Sequence, residues 1–294
     1  MARLFILATV FFGGCGFLDP AGTPTVVAHR AAAGYWPENS RTAVEGSVAR
    51  GYPMIEVDVV VTADGVPFLH HDPWVSETLC RRADGSEIGE RIFIRDLTAA
   101  ELVADYRCGG VADPSTPDAE VVSDTVLPLE EFFTIASAKS EIALYLDLKY
   151  APDETVPLDV FAPAVKDALV GVPNVVYVES TFDEGVAAFA DTPVKTLRGW
   201  PRFPPGGSGV GQAIGAELAS TLGFADILDA AHDAGADGVT TAFQVLDWPS
   251  ARAARHEGLE VVVFTLNSEA ELSRYCAWPV DFVISDYPER APCL

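Results

Sequence analysis

The sequence predicts a (β/α)8 barrel, and three observations support this fold class. The chain has 294 residues, a size that suits one large α/β domain. Short β-branched runs alternate with alanine-rich amphipathic stretches, roughly eight times, as in repeated β/α units. An open doubly wound sheet is the alternative, but it usually carries a Gly-x-Gly-x-x-Gly turn after its first strand. That motif is absent, and His29 and Arg30 stand there instead.

The first predicted elements surround most of the polar motifs. Thr25–Ala28 is a first strand, and Ser40 is the expected N-cap of a helix that runs to about Arg50. Met54–Val61 is a second strand. After an Ala-Asp-Gly turn, Val66–His70 returns as a short extended segment.

Residues 74–126 break this alternation, because charged residues, glycine and proline collect there. A structureless loop of this length is uncommon in a compact domain, so we expect an insertion with structure of its own. The helix-like pattern of Thr98–Tyr106 supports this expectation. The barrel domain as a whole is predicted to span residues 24–290, with the insertion after the second strand region.

Regular alternation resumes after the insertion and continues towards the C-terminus. The predicted helices are Leu129–Ser137, Val156–Leu169, Phe182–Ala190, Phe224–Ala234, Pro249–Glu257 and Glu269–Tyr275. The predicted strands are Glu141–Leu148, Val175–Glu179, Val194–Leu197, Gly238–Thr241, Glu260–Thr265 and Val280–Ile284. Residues 200–211 are rich in proline and glycine and are predicted to form a loop that overhangs the barrel.

The N-terminus has the pattern of an export signal. Arg3 precedes the apolar run Leu4–Phe12, which is shorter than the roughly 20 residues that span a bilayer. Small residues directly before Cys15 also resemble a bacterial lipobox, in which this cysteine is lipidated; ordinary secretion with cleavage elsewhere is the alternative. We expect residues 1–15 to be a signal peptide, and the protein to be periplasmic, anchored to the outer membrane or secreted.

Composition and cysteine count agree with an exported, folded protein. Hydrophobic residues make up 49% of the chain, which is enough for a full core. The net charge of −24 repels phosphate backbones and argues against nucleic acid as a partner. Besides Cys15, four cysteines remain: Cys80, Cys108, Cys276 and Cys293. The local disulfide pairings are Cys80 with Cys108 and Cys276 with Cys293, although four unpaired thiols are also consistent with the sequence.

Three acidic residues are expected to meet at the C-terminal end of the barrel, where barrel enzymes place catalytic groups. Glu56 and Asp58 are two apart on one strand and share a face, and Asp147 ends the next barrel strand. Carboxylates that face one cavity repel one another, and a hard divalent cation with oxygen ligands removes this repulsion. The alternative is a set of salt bridges, such as Asp147 with Lys149 or Glu56 with Arg30.

Histidines and cations near these acids point to phosphodiester chemistry. His29 and His71 form a candidate acid and base pair, because imidazole titrates near neutral pH. Arg30 and Lys149 carry positive charge suited to a phosphate. Together with a metal ion, these groups fit metal-assisted attack on a phosphodiester. The other histidines have a structural or solvated interpretation: His70, His232 and His256.

These residues resemble the motifs of the glycerophosphodiester phosphodiesterase family. In chain order the motifs are His29-Arg30, Pro37-Glu38-Asn39-Ser40, Glu56-Val57-Asp58, His71-Asp72, Asp147-Leu148-Lys149, Thr265-Leu266-Asn267 and Asp286-Tyr287-Pro288. The resemblance extends from Thr25 to Pro288 and implies a (β/α)8 barrel with an insertion after the His-Asp motif. It also implies a small-molecule glycerophosphodiester substrate, with glycerol 3-phosphate and an alcohol as products.

The resemblance implies roles for individual residues. Glu56, Asp58 and Asp147 would bind Ca²⁺ or Mg²⁺, and His29 and His71 would serve as general base and acid. The residues implied at the substrate and its phosphate are Arg30, Lys149, Asn39 and Asn267. Glu38, together with Asn39, is implied in support of the metal site and His29. Asp147 departs from the family's usual Glu, and Phe264 stands where the family often has Trp. These departures concern substrate choice more than reaction type.

Two other functions remain open from the sequence. A related barrel could cleave intact phospholipids, in the manner of a phospholipase D-like or phospholipase C-like enzyme, with Trp200 and Phe203 as an apolar rim. The net charge of −24 disfavours anionic bilayers, although a lipidated Cys15 would anchor the protein to a membrane. A catalytically silent binding protein is the second alternative, and it would typically lack one of the histidines or acids.

Overall fold

The barrel consists of eight parallel strands that close on themselves, in a computed structural model that describes residues 22–200 and 225–294. The strands are β1 (Thr25–Ala28), β2 (Met54–Val61), β6 (Ala143–Leu148), β7 (Val176–Ser180), β8 (Lys195–Trp200), β9 (Gly238–Ala242), β10 (Glu260–Phe264) and β11 (Phe282–Ser285). Strand β1 pairs with both β11 and β2, which closes the sheet. The predicted (β/α)8 barrel is confirmed.

Alternation along the strands separates the barrel interior from the layer beneath the helices. On β6, Leu144, Leu146 and Leu148 pack into the apolar layer shared with the surrounding helices. Tyr145 points the other way and packs inside the barrel with residues such as Tyr177 and Leu197. Asp147 is on the same inner face as Tyr145, since side chains two apart on a strand point to one side.

Helices cover the outside of the barrel, and one further helix, Ala99–Asp105, lies in the 74–126 segment. Their bounds are α1 (Arg41–Arg50), α2 (Ala99–Asp105), α3 (Leu129–Ala136), α4 (Leu158–Ala168), α5 (Asp183–Ala187), α6 (Ala225–Ala234), α7 (Trp248–His256) and α8 (Glu269–Tyr275). Helix α1 begins where expected, because the Ser40 hydroxyl accepts a hydrogen bond from Ala43 N at 3.1 Å. Within residues 22–200 and 225–294, no helix combines the length and apolar character needed to cross a membrane.

The segment 74–126 has secondary structure and a core of its own. Strand β3 (Pro67–Leu69) runs antiparallel to β2 just before this segment. Within it, β4 (Cys80–Arg82) and β5 (Tyr106–Cys108) form a separate two-stranded sheet, with α2 between them in the chain. Its apolar side chains form a cluster that includes Val60 and Phe68 of the barrel side. The segment therefore packs on the face of the β2–β3 pair that carries Val60 and Phe68, opposite the face that Val59 and Val61 present to the helices.

Both local disulfides are present. The register of β4 and β5 places Cys80 opposite Cys108, and their sulfurs are joined. Cys276 is joined to Cys293 near the C-terminus. The predicted signal peptide, Cys15, Phe224 and residues 201–211 of the predicted loop lie outside the described residues. Trp200, which the sequence placed in that loop, instead ends β8, because its backbone pairs in register with Thr241 of β9.

Candidate active site

Three carboxylates meet at the C-terminal end of the barrel. Glu56 and Asp58 extend inward from β2, and the parallel register sets Asp58 beside Asp147 of β6. One oxygen from each of the three carboxylates lies within 4.8 Å of the others. Glu56 and Asp58 are 2% and 1% exposed, so their charges are shielded from water. Such a cluster requires nearby positive charge to be stable.

Asp58 receives most of that positive charge. Lys149 Nζ lies 2.6 Å from Asp58 Oδ1, and Arg30 Nε lies 3.4 Å from Oδ2. Asn39 Nδ2 donates to Asp58 Oδ2 at 2.7 Å, and Asn39 Oδ1 accepts from the Asp58 backbone N–H at 3.0 Å. Burial alone would raise the pKa of Asp58, but Lys149, His71 and Arg30 outweigh it and hold this pKa far below its usual range. Asp58 is therefore ionised.

Glu56 is in the opposite electrostatic situation. Burial and the charges of Asp58 and Asp147 raise the pKa of Glu56 to about 8. Its Oε2 accepts a hydrogen bond from the backbone N–H of Arg30 at 2.6 Å, and His29 Nε2 lies 4.0 Å away. These contacts only partly offset the repulsion. A cation at this carboxylate would stabilise its charged form.

The donor set of this cluster fits a hard divalent cation. All the candidate ligand atoms are carboxylate oxygens, which Ca²⁺ and Mg²⁺ prefer. Asp58 Oδ1 is buried and accepts no hydrogen bond of acceptable geometry, although Lys149 Nζ is close to it. Asp147 is partly exposed, and one of its oxygens contacts Lys149. The sequence-predicted salt bridge of Asp147 with Lys149 thus coexists with the carboxylate cluster.

His29 is fixed by a hydrogen-bond relay from the last barrel strand. Its Nδ1 lies 2.7 Å from Asp286 Oδ1, and Asn267 Nδ2 donates to Asp286 Oδ2 at 2.6 Å. Burial tends to lower the pKa of His29, but the charge and hydrogen bond of Asp286 and the charge of Glu56 raise it. In turn His29, Arg30 and Asn267 hold the pKa of Asp286 below its usual value despite burial.

A left-handed turn directs His29 and Arg30 to different partners. Arg30, Ala31 and Ala32 have φ values of 47°, 59° and 66°, a region that non-glycine residues rarely adopt in succession. The turn aims the Arg30 backbone N–H at Glu56, while the guanidinium reaches Glu38 Oε2 at 2.5 Å. The small side chains of the two alanines, both fully buried, allow this tight geometry.

The two consecutive histidines diverge. His71 is partly exposed, and its Nδ1 lies 3.0 Å from Asp72 Oδ1. His70 is 7% exposed, and its Nε2 lies 3.0 Å from the backbone oxygen of Trp74. His71 is near enough to the carboxylates to lower the pKa of Asp58. The structure thus brings His71 to the site and gives His70 a buried position, while His232 pairs with Glu257 on the surface.

Sequence reasoning missed a fourth carboxylate at this end of the barrel. Glu179 of β7 is 6% exposed, and its Cα is in register with that of Asp147. Burial and the charge of Asp147 raise the pKa of Glu179 well above its usual value. The sequence signal that could have identified Glu179 is its position as the last inward-facing residue of a predicted strand. Asp286 belongs to a recognised motif, but its contact with His29 was also not predicted.

A cleft opens beside the site, between the 74–126 segment and the Pro37–Glu38 turn. Its wall includes His70 and the disulfide of Cys80 and Cys108. Asp113 and Glu120 add acidic groups to the side contributed by the insertion. The cleft therefore lies between the insertion and the turn that carries Glu38, whose carboxylate pairs with Arg30.

Residues 29–184, more than half of the chain, match the model of the glycerophosphoryl diester phosphodiesterase family. The chain belongs to this family. A glycerophosphodiester phosphodiesterase of Bacillus subtilis is 26% identical over 90% of the chain and 83% of its own length. The human glycerophosphoinositol inositolphosphodiesterase GDPD2 is 31% identical over 47% of the chain, which spans only 27% of that longer relative.

Solved structures of phosphodiesterases have a similar fold. A crystal structure from Silicibacter pomeroyi superposes with a TM-score of 0.76 at 24% identity, covering 91% of both chains. A phosphodiesterase of Oleispira antarctica, in complex with the product sn-glycerol-3-phosphate, has a TM-score of 0.67 at 20% identity. It covers 91% of this chain and 95% of its own. At these identities the likeness establishes the fold.

Proposed function

We propose that the protein hydrolyses glycerophosphodiesters to glycerol 3-phosphate and an alcohol, with a divalent cation held by Glu56, Asp58 and Asp147. The observation that carries the proposal is the carboxylate cluster, which has His29 and His71 beside it. Membership of the family supports the reaction class. The Oleispira antarctica phosphodiesterase, whose structure contains sn-glycerol-3-phosphate, supports the product.

The three carboxylates would hold Ca²⁺ or Mg²⁺ by their oxygens. When bound, such a cation neutralises the cluster and polarises oxygens of the substrate. Asn39 keeps Asp58 in place through two hydrogen bonds, one to the carboxylate and one from the backbone N–H. The pKa of Glu56 is raised to about 8, so a neighbouring positive charge would stabilise the charged form of this carboxylate.

His29 and His71 would move the protons. Because Asp286 is ionised, His29 Nδ1 donates to it, and in the neutral imidazole this leaves Nε2, 4.0 Å from Glu56, free to accept a proton. Asp72 contacts Nδ1 of His71 in the same manner. One histidine would take the proton of the glycerol 2-hydroxyl as it attacks phosphorus, and the other would protonate the departing alcohol. Water would then open the resulting cyclic glycerol phosphate.

Arg30 and Lys149 would offset the charge that develops on the phosphoryl oxygens. Burial opposes the charge of each, but Glu38 and Asp58 raise the pKa of Arg30, and Asp147 and Asp58 raise that of Lys149. Both side chains are therefore positively charged throughout the working pH range. A phosphate-binding role for Asn39 and Asn267 stays a prediction. Their amides are bonded to Asp58 and Asp286, respectively.

A substrate panel tests the reaction and the cation requirement. We expect purified protein to hydrolyse glycerophosphocholine, with glycerol 3-phosphate as product, and to leave phosphatidylcholine vesicles intact. EDTA should abolish turnover, and added Ca²⁺ or Mg²⁺ should restore it. Full activity after thorough chelation would refute the cation requirement. Cleavage of the phospholipid in preference to the glycerophosphodiester would show a phospholipase instead.

Single substitutions test the two histidines. His29→Ala and His71→Ala should each lower kcat by roughly 100-fold or more, the usual contribution of a general acid or base. His256→Ala is the matched control, because His256 is an exposed residue of α7. Its kcat should equal that of the wild type. The two-histidine mechanism is wrong if either active-site variant retains wild-type turnover with the folded structure intact.

We also propose that the protein is exported, with Cys15 as a lipid anchor. The basic N-terminus, the apolar run and the small residues before Cys15 support this. Expression of the full chain in a bacterial host, followed by fractionation, provides the test. The wild type should sediment with membranes and Cys15→Ser should be soluble. Equal distribution of the two proteins would contradict lipidation.

A further inference from the structure

Glu179 shares a surface of the barrel interior with the cation-binding carboxylates. It is the fourth residue of β7, and its Cα pairs in the parallel register with that of Asp147 on β6. Paired residues on adjacent parallel strands direct their side chains to the same face. Glu179 is therefore the next carboxylate around the barrel wall after Asp147. It does not belong to the group of three whose oxygens lie within 4.8 Å.

Neighbouring strands hold this carboxylate in one position. Tyr145 of β6 donates its hydroxyl hydrogen bond to Glu179 Oε2 at 2.5 Å, and the same hydroxyl is 2.8 Å from Thr240 Oγ1 of β9. On β8, Gly199 leaves the space that Oε1 occupies, because a Cβ at this residue would lie 2.3 Å from that oxygen. Residues of three other strands, β6, β8 and β9, thus determine the position of the Glu179 side chain.

Among the neighbours that the structure describes, no positively charged side chain forms an ion pair with Glu179. Within residues 22–200 and 225–294, no lysine, arginine or histidine nitrogen lies within 4.0 Å of its carboxylate. Lys149, the nearest candidate on β6, contacts Asp58 and Asp147 instead. An acid buried to this degree without a directly paired cation is costly for the fold. Its position at the mouth of the barrel points to a role in the site.

We propose that Glu179 completes the cation site from the side of β7, by accepting a hydrogen bond from a water ligand of the bound cation. This inference rests on the proposed function. Asp147 has a short side chain, and Lys149 engages one of its oxygens, so only the other oxygen is free of this contact. Glu179 supplies an acceptor on this side of the site, and a bound cation would favour the charged form of its carboxylate. Such outer ligands typically change metal affinity by roughly 10–100-fold.

Calorimetric titration of chelator-treated protein with CaCl₂ and MgCl₂ tests the proposal. Glu179→Gln keeps the size of the side chain but removes its charge, and should weaken binding of the preferred cation by roughly 10-fold or more. The matched control is Glu260→Gln. Glu260 is a glutamate at the opposite end of the barrel, on β10, where it pairs with Lys195 at 2.5 Å. This control should bind the cation as the wild type does.

A second substitution separates a cation role from a structural one. Asp147→Glu lengthens the neighbouring arm by one methylene group, so it should restore most of the affinity lost in Glu179→Gln. Tyr145→Phe removes the hydroxyl but keeps the carboxylate, and should weaken binding much less than Glu179→Gln does. If Glu179→Gln does not fold, Glu179→Asp replaces it, with the same expected direction.

The outcomes distinguish this inference from the proposed function. Cation binding by the wild type with equal affinity in Glu179→Gln would overturn the role of Glu179 alone. Equal losses in Tyr145→Phe and Glu179→Gln, without rescue by Asp147→Glu, would assign Glu179 to packing and also overturn it. A wild type that binds neither cation would overturn the metal-dependent function together with this inference.

Discussion

Asp286 holds His29 with one carboxylate oxygen and is itself held by Asn267 through the other. The Asp286 backbone N–H also donates to Asn267 Oδ1 at 3.0 Å, so the asparagine binds both ends of the residue. This arrangement fixes the imidazole ring and determines which nitrogen carries the proton. Orientation of this kind accounts for much of the efficiency of a general base.

Asp286→Asn should lower kcat by roughly 100-fold with a much smaller change in KM. The asparagine must direct its NH₂ group either at His29 Nδ1 or at Asn267 Nδ2, and both are donors in the wild type. Steady-state kinetics with a soluble glycerophosphodiester measure the effect. Asp159→Asn, on the exposed surface of α4, is the control. Unchanged kcat in Asp286→Asn would show that His29 is oriented without it.

Site residues could be predicted from the sequence where they belong to a short motif with a defined spacing. Glu56 and Asp58 were grouped because two-residue spacing on a strand gives one face, and the structure places both in the barrel mouth. Glu179 belongs to no motif, and its contact with Tyr145 depends on strand register, which sequence does not state. For the same reason the amide partners of Asn39 and Asn267 could not be anticipated.

Helix α1 connects the site residues that follow β1 to the carboxylates of β2. Its N-cap, Ser40, follows directly after Glu38 and Asn39, which contact Arg30 and Asp58. The Ser40 hydroxyl accepts from Ala43 N at 3.1 Å and donates to Pro37 O at 2.6 Å. The cap therefore closes the turn that carries both residues as well as starting the helix.

Ser40→Ala should lower the free energy of unfolding by about 1 kcal/mol, the usual effect of losing an N-cap. Ser40→Thr keeps both the donor and the acceptor and should be close to the wild type. Urea unfolding followed by circular dichroism measures the difference, with the slope of the transition unchanged. Equal midpoints for the alanine variant and the wild type would mean that Ser40 does not stabilise α1.

Element boundaries were less predictable than element types. β8 extends to Trp200 because its backbone pairs with Thr241, although the following proline and glycine residues indicated a loop. β11 was predicted to begin at Val280. It begins at Phe282, because its pairing with β1 and β10 begins at that residue. Hydrogen-bond partners on neighbouring strands decide these ends, and local residue preferences do not contain that information.

At the scale of the whole molecule, the class of fold was predictable because each strand and helix carries its own periodicity. Closure of the barrel was inferred from the number of strand-like runs, and the pairing of β1 with both β2 and β11 is a tertiary property. The convergence of Asp58 and Asp147 follows from that closure, since their strands pair directly. Site residues that are far apart in the sequence are therefore brought together by the topology of the barrel.

Disulfides stabilise two separate regions of the molecule, and their removal should have additive effects. Cys80 and Cys108 are 28 residues apart and join the insertion core, while Cys276 and Cys293 are 17 apart and lie beside the cluster around β9–β11. Loop-closure entropy predicts a loss of about 3–4 kcal/mol for each paired Cys→Ser replacement. The two clusters share no residues, so the quadruple variant should lose about the sum.

Thermal unfolding of the two double variants and the quadruple variant measures these losses. In the same assay, dithiothreitol should lower the Tm of the wild type and leave the Tm of the quadruple variant unchanged. Both disulfides require an oxidising compartment, so a wild-type Tm that does not respond to reductant would argue against disulfide formation and weaken the case for export. A loss confined to one variant would identify the region whose cross-link carries the stability.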